Sequence, residues 1–285
     1  MYFLNINKPK GITSFDVIRT LRKKLKIKQI GHSGTLDPLA SGVMQVAVGK
    51  ATKLLDYLNS DKEYIADIVF GFVTETFDSE SEKQFVGKPS FSKEELNCVL
   101  DSFLGKSFQI PPKYSAIKLN GQKLCDLARN NKEIDIEAHK REIEIYSIEL
   151  LDFSQDKAKI KVSCKKGTYI RSLVNDIGQR LGCGAYMSEL IRTKAGDFIL
   201  KNSNNLEDEK FFEIPPLCAL RLKQIELSNE QYFKIKNGNF ITCECNEFEN
   251  YLLLTKNNKL VSIGYLSDNL IKPKKFFGED WWILF

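Results

Sequence analysis

The hydrophobic and polar positions along this chain change period several times, and each change predicts an element. Thr13-Ser14-Phe15-Asp16 has capping-box spacing, and Phe15, Ile18, Leu21 and Leu25 follow at helical intervals. Arg19, Arg22, Lys23 and Lys26 take the other faces, so this is a basic amphipathic helix. Gly31–Gly42 holds three glycines and a proline with no helical period, and reads as a loop. Tyr64–Val73 is rich in β-branched and aromatic residues and predicts a strand. Ser92-Lys93-Glu94-Glu95 opens a second helix, with Leu96, Val99, Leu100, Phe103 and Leu104 at helical spacing. Gln109–Gln122, with two prolines and a glycine, predicts a loop or irregular strand. Ile143–Phe153 and Ala158–Cys164 predict paired strands, and Thr168–Leu181 a helix stopped by Gly182.

Strands and helices follow one another without β-α alternation. That pattern predicts an α+β fold with a mixed, mostly antiparallel sheet. Beyond Leu222 the texture changes to short strand-like runs, Tyr251–Thr255 and Leu260–Tyr265, separated by polar turns such as Lys236-Asn237-Gly238-Asn239. The expected division is a large domain over residues 1–222 and a small β-rich one over 223–285.

Composition narrows the function classes. The chain has 285 residues, 42% hydrophobic and 28% charged. No stretch approaches the roughly 18 uninterrupted apolar residues of a membrane span, and the opening Met-Tyr-Phe-Leu-Asn-Ile-Asn-Lys lacks signal-peptide layout. A cytoplasmic protein is expected. Seven cysteines and two histidines show no zinc-ligand spacing, so no metal site is expected. Residues 1–60 carry ten Lys/Arg against three Asp, and the rest of the chain carries 32 basic against 34 acidic side chains. Clustered basic charge of this kind attracts phosphate.

Three segments carry candidate chemistry. Gly31-His32-Ser33-Gly34-Thr35-Leu36-Asp37-Pro38-Leu39-Ala40-Ser41-Gly42 sets one carboxylate in a glycine-rich loop, with Pro38 biasing Asp37 towards extended backbone. Lys166-Gly167-Thr168-Tyr169-Ile170-Arg171-Ser172 places Tyr169 and Arg171 at a helix start. An arginine beside Asp37 would keep it ionised and orient it through a bidentate contact. In Lys62-Glu63-Tyr64 the tyrosine could stack on a base. Singly, each also fits a plain role: an Asp-Pro turn, a surface arginine, a core tyrosine.

Together these segments resemble the bacterial TruB-type tRNA pseudouridine synthases, which act on uridine 55 in the T-loop. G-H-S-G-T-L-D-P-L-A-S-G resembles that family's catalytic-aspartate motif. N-K-P-K-G resembles its opening motif, K-E-Y its second and K-G-T-Y-I-R-S its third. I-P-P-K-Y-S-A-I-K-L-N-G-Q-K-L is similar to the segment entering its RNA-gripping insertion, here about residues 118–141. The likeness runs from Asn5 to about Thr193. The stretch from Y-F-K-I-K-N-G-N to I-K-P-K-K-F-F resembles the family's small PUA-like RNA-binding domain. Ser33, Ser41 and Ser172 stand where the family has threonine.

The resemblance implies Asp37 as nucleophile, Arg171 as its partner, Tyr169 and Leu190 lining the pocket, and Tyr64 as a catalytic residue whose ring stacks on the flipped base and whose hydroxyl could assist proton transfer. It also implies that His32 contacts the RNA around the flipped nucleotide and that Lys8, beside the site, binds the substrate. The implied reaction is an isomerisation of tRNA uridine that needs no cofactor and no metal. No obligatory protein partner is expected, and a monomer suffices. Phosphate contacts are expected from Arg19–Lys28, the insertion, and Lys272–Lys275. The competing readings are a non-catalytic RNA-binding or tRNA-folding protein, a sugar glycosidase with paired carboxylates, and a guide-RNA-dependent relative. No second carboxylate stands out in the motifs, which disfavours the glycosidase.

Overall fold

The computed structural model describes residues 1–115, 118–119, 122–123, 139–243 and 251–278. Its backbone is a ten-stranded sheet, with helices against one face and a second, five-stranded sheet near the other. The elements that position the site are β1 (Tyr2–Lys8), α1 (Ser14–Leu25), β2 (Ile30–Ser33), β3 (Ser41–Val48), β4 (Lys62–Phe70), α2 (Lys93–Asp101), β5 (Gly105–Gln109), β6 (Arg141–Ser154), β7 (Lys157–Cys164), α3 (Ile170–Arg180), β8 (Ala185–Ala195) and β9 (Asn204–Asn205). Strand order is β9-β1-β3-β8-β4-β7-β6-β5, with β2 beside β3. Only β1–β9 and β3–β8 pair in parallel; the other pairings are antiparallel. The sheet is therefore mostly antiparallel, as the element order predicts.

Period-2 burial governs β4. Lys62, Tyr64, Ala66, Ile68 and Phe70 are buried, while the residues between them are half-buried. The buried set faces Leu96 and Leu100 of α2 and Leu173, Val174 and Ile177 of α3 in one core. At β1 and β3 both faces are covered. Leu4, Ile6, Met44 and Val46 join the helix-side core, and Phe3, Val43 and Ala47 join a second core on the opposite face. That second core includes Leu253, Leu260 and Ile263 of the five-stranded sheet.

The small sheet is built from β10 (Gln224–Glu226), β11 (Ile241–Thr242), β12 (Tyr251–Lys256), β13 (Lys259–Ser267) and β14 (Leu270–Phe276), ordered β10-β12-β13-β14-β11. A helix, α4 (Asn229–Lys236), precedes β11 and is not among the predicted elements. Its signal is a capping box, Ser228 with Gln231. Lys236-Asn237-Gly238-Asn239 is the turn that ends this helix, with Gly238 at φ +80°.

Three expectations change in detail. The predicted loop at Gly31–Gly42 is shorter, because Ile30–Ser33 and Ser41–Val48 pair as strands and leave only residues 34–40 irregular. The strand predicted over Tyr64–Val73 breaks at Gly71, whose φ of +91° suits glycine. In α1 the buried stripe is Val17, Ile18 and Leu21, while Phe15 is 59% exposed beneath Arg19 and Arg22, each 5.9 Å from its ring. Most of the predicted insertion, about 118–141, lies outside the described residues.

Candidate active site

The loop carrying Asp37 is fixed at both ends and in the middle. Leu36, Leu39 and Ala40 are buried and anchor it in the core. Ser14, the first residue of α1, accepts from the Leu36 N–H at 2.9 Å and donates to the Leu36 carbonyl at 3.0 Å. The Pro38 carbonyl accepts from the Gly11 N–H at 2.8 Å and from Lys8 Nζ at 3.4 Å. At the other end, Arg192 of β8 donates from its terminal nitrogen to the Gly34 carbonyl at 3.0 Å and from Nε to the Val43 carbonyl at 2.7 Å. With Leu36 and Leu39 held inward, the side chain between them faces a cavity of about 380 Å³.

That cavity brings together Asp37, Tyr64, Tyr169, Arg171 and Leu190, from four separate segments of the chain. Ile170, Lys62, Lys166 and Arg192 share its wall. Tyr64 and Leu190 are buried, at 8% and 7% exposure, and close its floor. The start of α3 is held by Gln109, whose side chain donates to the Tyr169 carbonyl at 3.0 Å and accepts from the Tyr169 N–H at 2.8 Å. This fixes Tyr169 and, two residues on, Arg171.

Arg171 is 5% exposed, and its Nε lies 3.0 Å from Asp37 Oδ2. The expected bidentate fork is absent: Nε makes a charge contact with no aligned hydrogen bond. The reason is a second carboxylate. One terminal nitrogen of Arg171 donates to Asp78 Oδ2 at 3.3 Å and to the Thr76 carbonyl at 3.1 Å, and the other donates to the Tyr114 carbonyl at 2.9 Å. Asp78 is 1% exposed and also accepts from the Thr76 hydroxyl at 2.5 Å and the Glu80 N–H at 3.0 Å. One guanidinium thus serves two acids.

This sharing sets the electrostatics of Asp37. Its side chain keeps 36% of its surface open, but only to a recessed cavity. Burial pushes its carboxyl above the ordinary value; Arg171 opposes that, Asp78 adds to it and Lys8 opposes it. The upward direction reverses the expectation that the arginine would dominate. Burial likewise pushes the Tyr64 phenol up, with Arg192 pulling the other way.

Two expected site residues lie elsewhere. Lys8 is 0% exposed, and its ammonium donates to the carbonyls of Pro9 at 2.9 Å, Ile12 at 2.8 Å and Pro38 at 3.4 Å. It does not line the cavity; it braces the Asp37 loop from behind. Burial lowers its pKa to about 8. His32 sits half-buried on β2, next to cavity-lining Ser33 but not lining it itself. Burial, then Arg192, lowers its pKa and favours the neutral imidazole.

Sequence reasoning missed Asp78, Arg192, Ser14 and Gln109. Asp78 lies in Thr-Glu-Thr-Phe-Asp-Ser-Glu-Ser, where nothing local separates it from Glu75 or Glu80. Arg192 carries a weak signal, a charged residue two positions from Leu190 in a strand buried on that face.

With this geometry in hand, comparison with known proteins gives a consistent answer. Residues 22–170 match the model of the TruB family pseudouridylate synthase N-terminal domain, and residues 171–212 match that of the tRNA pseudouridylate synthase B C-terminal domain. The chain belongs to the TruB family of pseudouridylate synthases. A relative from Clostridium novyi (strain NT) named tRNA pseudouridine synthase B is 50% identical, over 95% of this chain and 98% of its own. One of the same name from Fusobacterium nucleatum is 46% identical over 95% and 98%. Among solved structures, a chain of a Cbf5-Nop10-Gar1 complex superposes with a TM-score of 0.73 at 23% identity, covering 99% of this chain and 86% of that one. That likeness speaks to the fold. The segment matched by the family's C-terminal model, 171–212, contains α3 and β8 and so belongs to the ten-stranded sheet and its cavity.

Proposed function

We propose that this protein converts uridine 55 in the T-loop of tRNA to pseudouridine, with Asp37 as the nucleophile. The observation that carries the reading is the Asp37–Arg171 pair in a recessed cavity, within a chain whose relatives are named tRNA pseudouridine synthase B. The reaction breaks the C1′–N1 glycosidic bond and forms a C1′–C5 bond, so substrate and product are isomers. A carboxylate can carry the ribose carbon between the two steps. The target base must leave the RNA stack to reach Asp37, at a cost of a few kcal/mol. Stacking on the Tyr64 ring, worth about 1–3 kcal/mol, offsets that cost. Tyr169 and Leu190 complete the pocket around the base, Arg171 orients Asp37, and His32 contacts the RNA beside the flipped nucleotide. Lys8 acts by bracing the Asp37 loop.

Residues 1–222 form the catalytic unit in this reading, and 223–285 a PUA-like RNA-binding unit. Arg19, Arg22 and exposed Phe15 on α1, with Lys272–Lys275 on β14, are suited to phosphate and nucleotide contacts. The protein acts in the cytoplasm as a monomer, without an obligatory protein partner.

The test is nucleotide-resolution pseudouridine mapping on unmodified tRNA transcript. Wild-type protein should modify the T-loop uridine, and Asp37→Asn should bind the tRNA without modifying it. Turnover by purified Asp37→Asn would overturn the nucleophile; an unmodified T-loop with wild type would overturn the substrate.

A further inference from the structure

The cavity holds a second charged pair that the Asp37–Arg171 contact does not use. Lys62 and Tyr64 are alternate residues of β4 and so share a face, and Arg192 of β8 is the direct cross-strand partner of Tyr64. All three line the cavity. Lys62 is 6% exposed and Arg192 is 1% exposed, whereas Gly34 and Lys166 on the same wall are exposed. The two cations are thus buried in the cavity wall, packed directly beneath exposed Gly34, whose carbonyl Arg192 bonds.

Burying charge is costly unless an opposite charge compensates. Among the described residues, neither Lys62 nor Arg192 has a carboxylate within ion-pair distance. Arg192 donates to backbone carbonyls and lies against the neutral Tyr64 hydroxyl, and Lys62 Nζ makes a long 3.5 Å contact with the neutral Gln45 amide oxygen. Burial and the adjacent Arg192 lower the Lys62 pKa to about 7. Two buried basic side chains beside Tyr64, neither with a carboxylate partner among the described residues, make a cavity wall suited to negative charge.

An RNA phosphate is a poor match for side chains this buried, because the backbone is continuous and well solvated, whereas a flipped base can enter the cavity. The base enters deepest, and the proposed reaction creates charge on it. When C1′–N1 breaks, the electron pair stays with uracil as C1′ bonds to an Asp37 carboxylate oxygen. The uracil anion then turns, C5 attacks C1′, and Asp37 leaves with its pair. The C5 proton is lost and one proton is taken up at N1. Between the two bond changes a full negative charge sits on the uracil ring and its carbonyl oxygens. We propose that Lys62, backed by Arg192, binds a uracil carbonyl and stabilises the detached uracil anion, a catalytic role that rests on the pseudouridine-synthase reading above.

Preorganised donors aimed at developing charge are worth about 10²–10³-fold in rate each. Full-length Lys62→Met, assayed in single turnover on unmodified tRNA, should therefore form pseudouridine about 10²–10³-fold more slowly, with its Kd for the same tRNA unchanged within about threefold. The pH profile supplies a readout that a structural role would not move. The groups facing Lys62 are Arg192 from β8, Gln45 from β3, Cys164 and Lys166 at and after the end of β7, and Asp61 before β4. The Cys164 thiol is pushed up to about 11. Wild-type kcat/KM should fall as pH rises above about 7, where Lys62 loses its proton. Lys62→Arg should recover part of the rate lost in Lys62→Met and move the onset of the alkaline fall from about 7 to that of Lys8, about 8 or above. Lys8, with a pKa of about 8, is intact in Lys62→Arg, so a limb whose onset this variant moves belongs to Lys62.

A near-normal rate in Lys62→Met overturns the inference. So does a loss expressed in tRNA affinity, which would put a phosphate on Lys62. An alkaline limb whose onset stays at about 7 in active Lys62→Arg overturns it as well. If Lys62→Met fails to fold, absence of the alkaline limb in wild type overturns it. Wild-type inactivity on tRNA overturns both this inference and the reading beneath it; an active wild type with an equally active Lys62→Met overturns this one alone.

Discussion

Replacing Asp78 with asparagine keeps the shape of a buried side chain and removes one charge from a three-member network. In the native site Arg171 holds Asp78 Oδ2 at 3.3 Å and Asp37 Oδ2 at 3.0 Å, with the Thr76 and Tyr114 carbonyls taking two more of its donors. The introduced amide retains an acceptor for the Thr76 hydroxyl and the Glu80 N–H, so those two bonds survive if its oxygen takes the place of Oδ1. Its NH₂ then points at the guanidinium, donor against donor. Breaking a buried pair by removing one partner costs about 3–5 kcal/mol. Asp37 still compensates part of the Arg171 charge, so the expected loss is smaller, about 2–3 kcal/mol. In urea, with a slope of about 1–3 kcal/mol/M, that lowers the unfolding midpoint by about 0.7–3 M, towards the low end for a chain of this length. The consequence at Asp37 is geometric. Freed from Asp78, the guanidinium recentres on Asp37 and pulls its carboxylate, the proposed nucleophile, from its set position. A displacement of about 1 Å costs on the order of 10²-fold in rate. The assay pairs urea unfolding of Asp78→Asn with single-turnover pseudouridine formation and tRNA binding. The expected result is a lower midpoint, a rate loss of about 10²-fold and unchanged affinity. Wild-type rate together with a wild-type midpoint would refute the claim that Asp78 holds Arg171 for Asp37.

Two further outcomes follow from the clamps around the same loop. Lys8→Met removes the ammonium that bonds the Pro9, Ile12 and Pro38 carbonyls; it should lower kcat while leaving tRNA KM near normal, and a rise in KM alone would return Lys8 to direct substrate binding. Gly42→Ala should abolish soluble expression or cost more than about 4 kcal/mol by chemical unfolding: Gly42 has φ +107°, and a Cβ there would lie 2.3 Å from the Arg192 carbonyl oxygen, where backbone cannot yield. A stable, active Gly42→Ala protein would mean that β3 and β8 are not packed this closely.

The amino-acid sequence by itself determined the elements whose physics is local. The capping boxes at Thr13–Asp16 and Ser92–Glu95 place two helix starts because a side chain three residues from its partner closes both bonds without help. Alternation in Ile143–Phe153 and Ala158–Cys164 predicts a hairpin that forms, and the motifs around Asp37, Tyr64 and Arg171 identify the residues that meet in the cavity. What tertiary structure alone decided is where charges sit relative to one another. Asp78 and Arg171 are 93 positions apart, and no period or spacing links them; only the packing of the 74–81 loop against β8 brings the acid under the guanidinium. The same holds for Lys62 and Arg192, which share a cavity wall because β8 pairs with β4 so that Arg192 lies opposite Tyr64, with a register shift just beyond it. It holds too for Lys8, which the opening motif sets near the site and the fold turns inward to bond carbonyls. Local sequence carries bond geometry over a few residues. Burial, which sets the cost of each charge and the direction of each pKa shift, belongs to the folded chain.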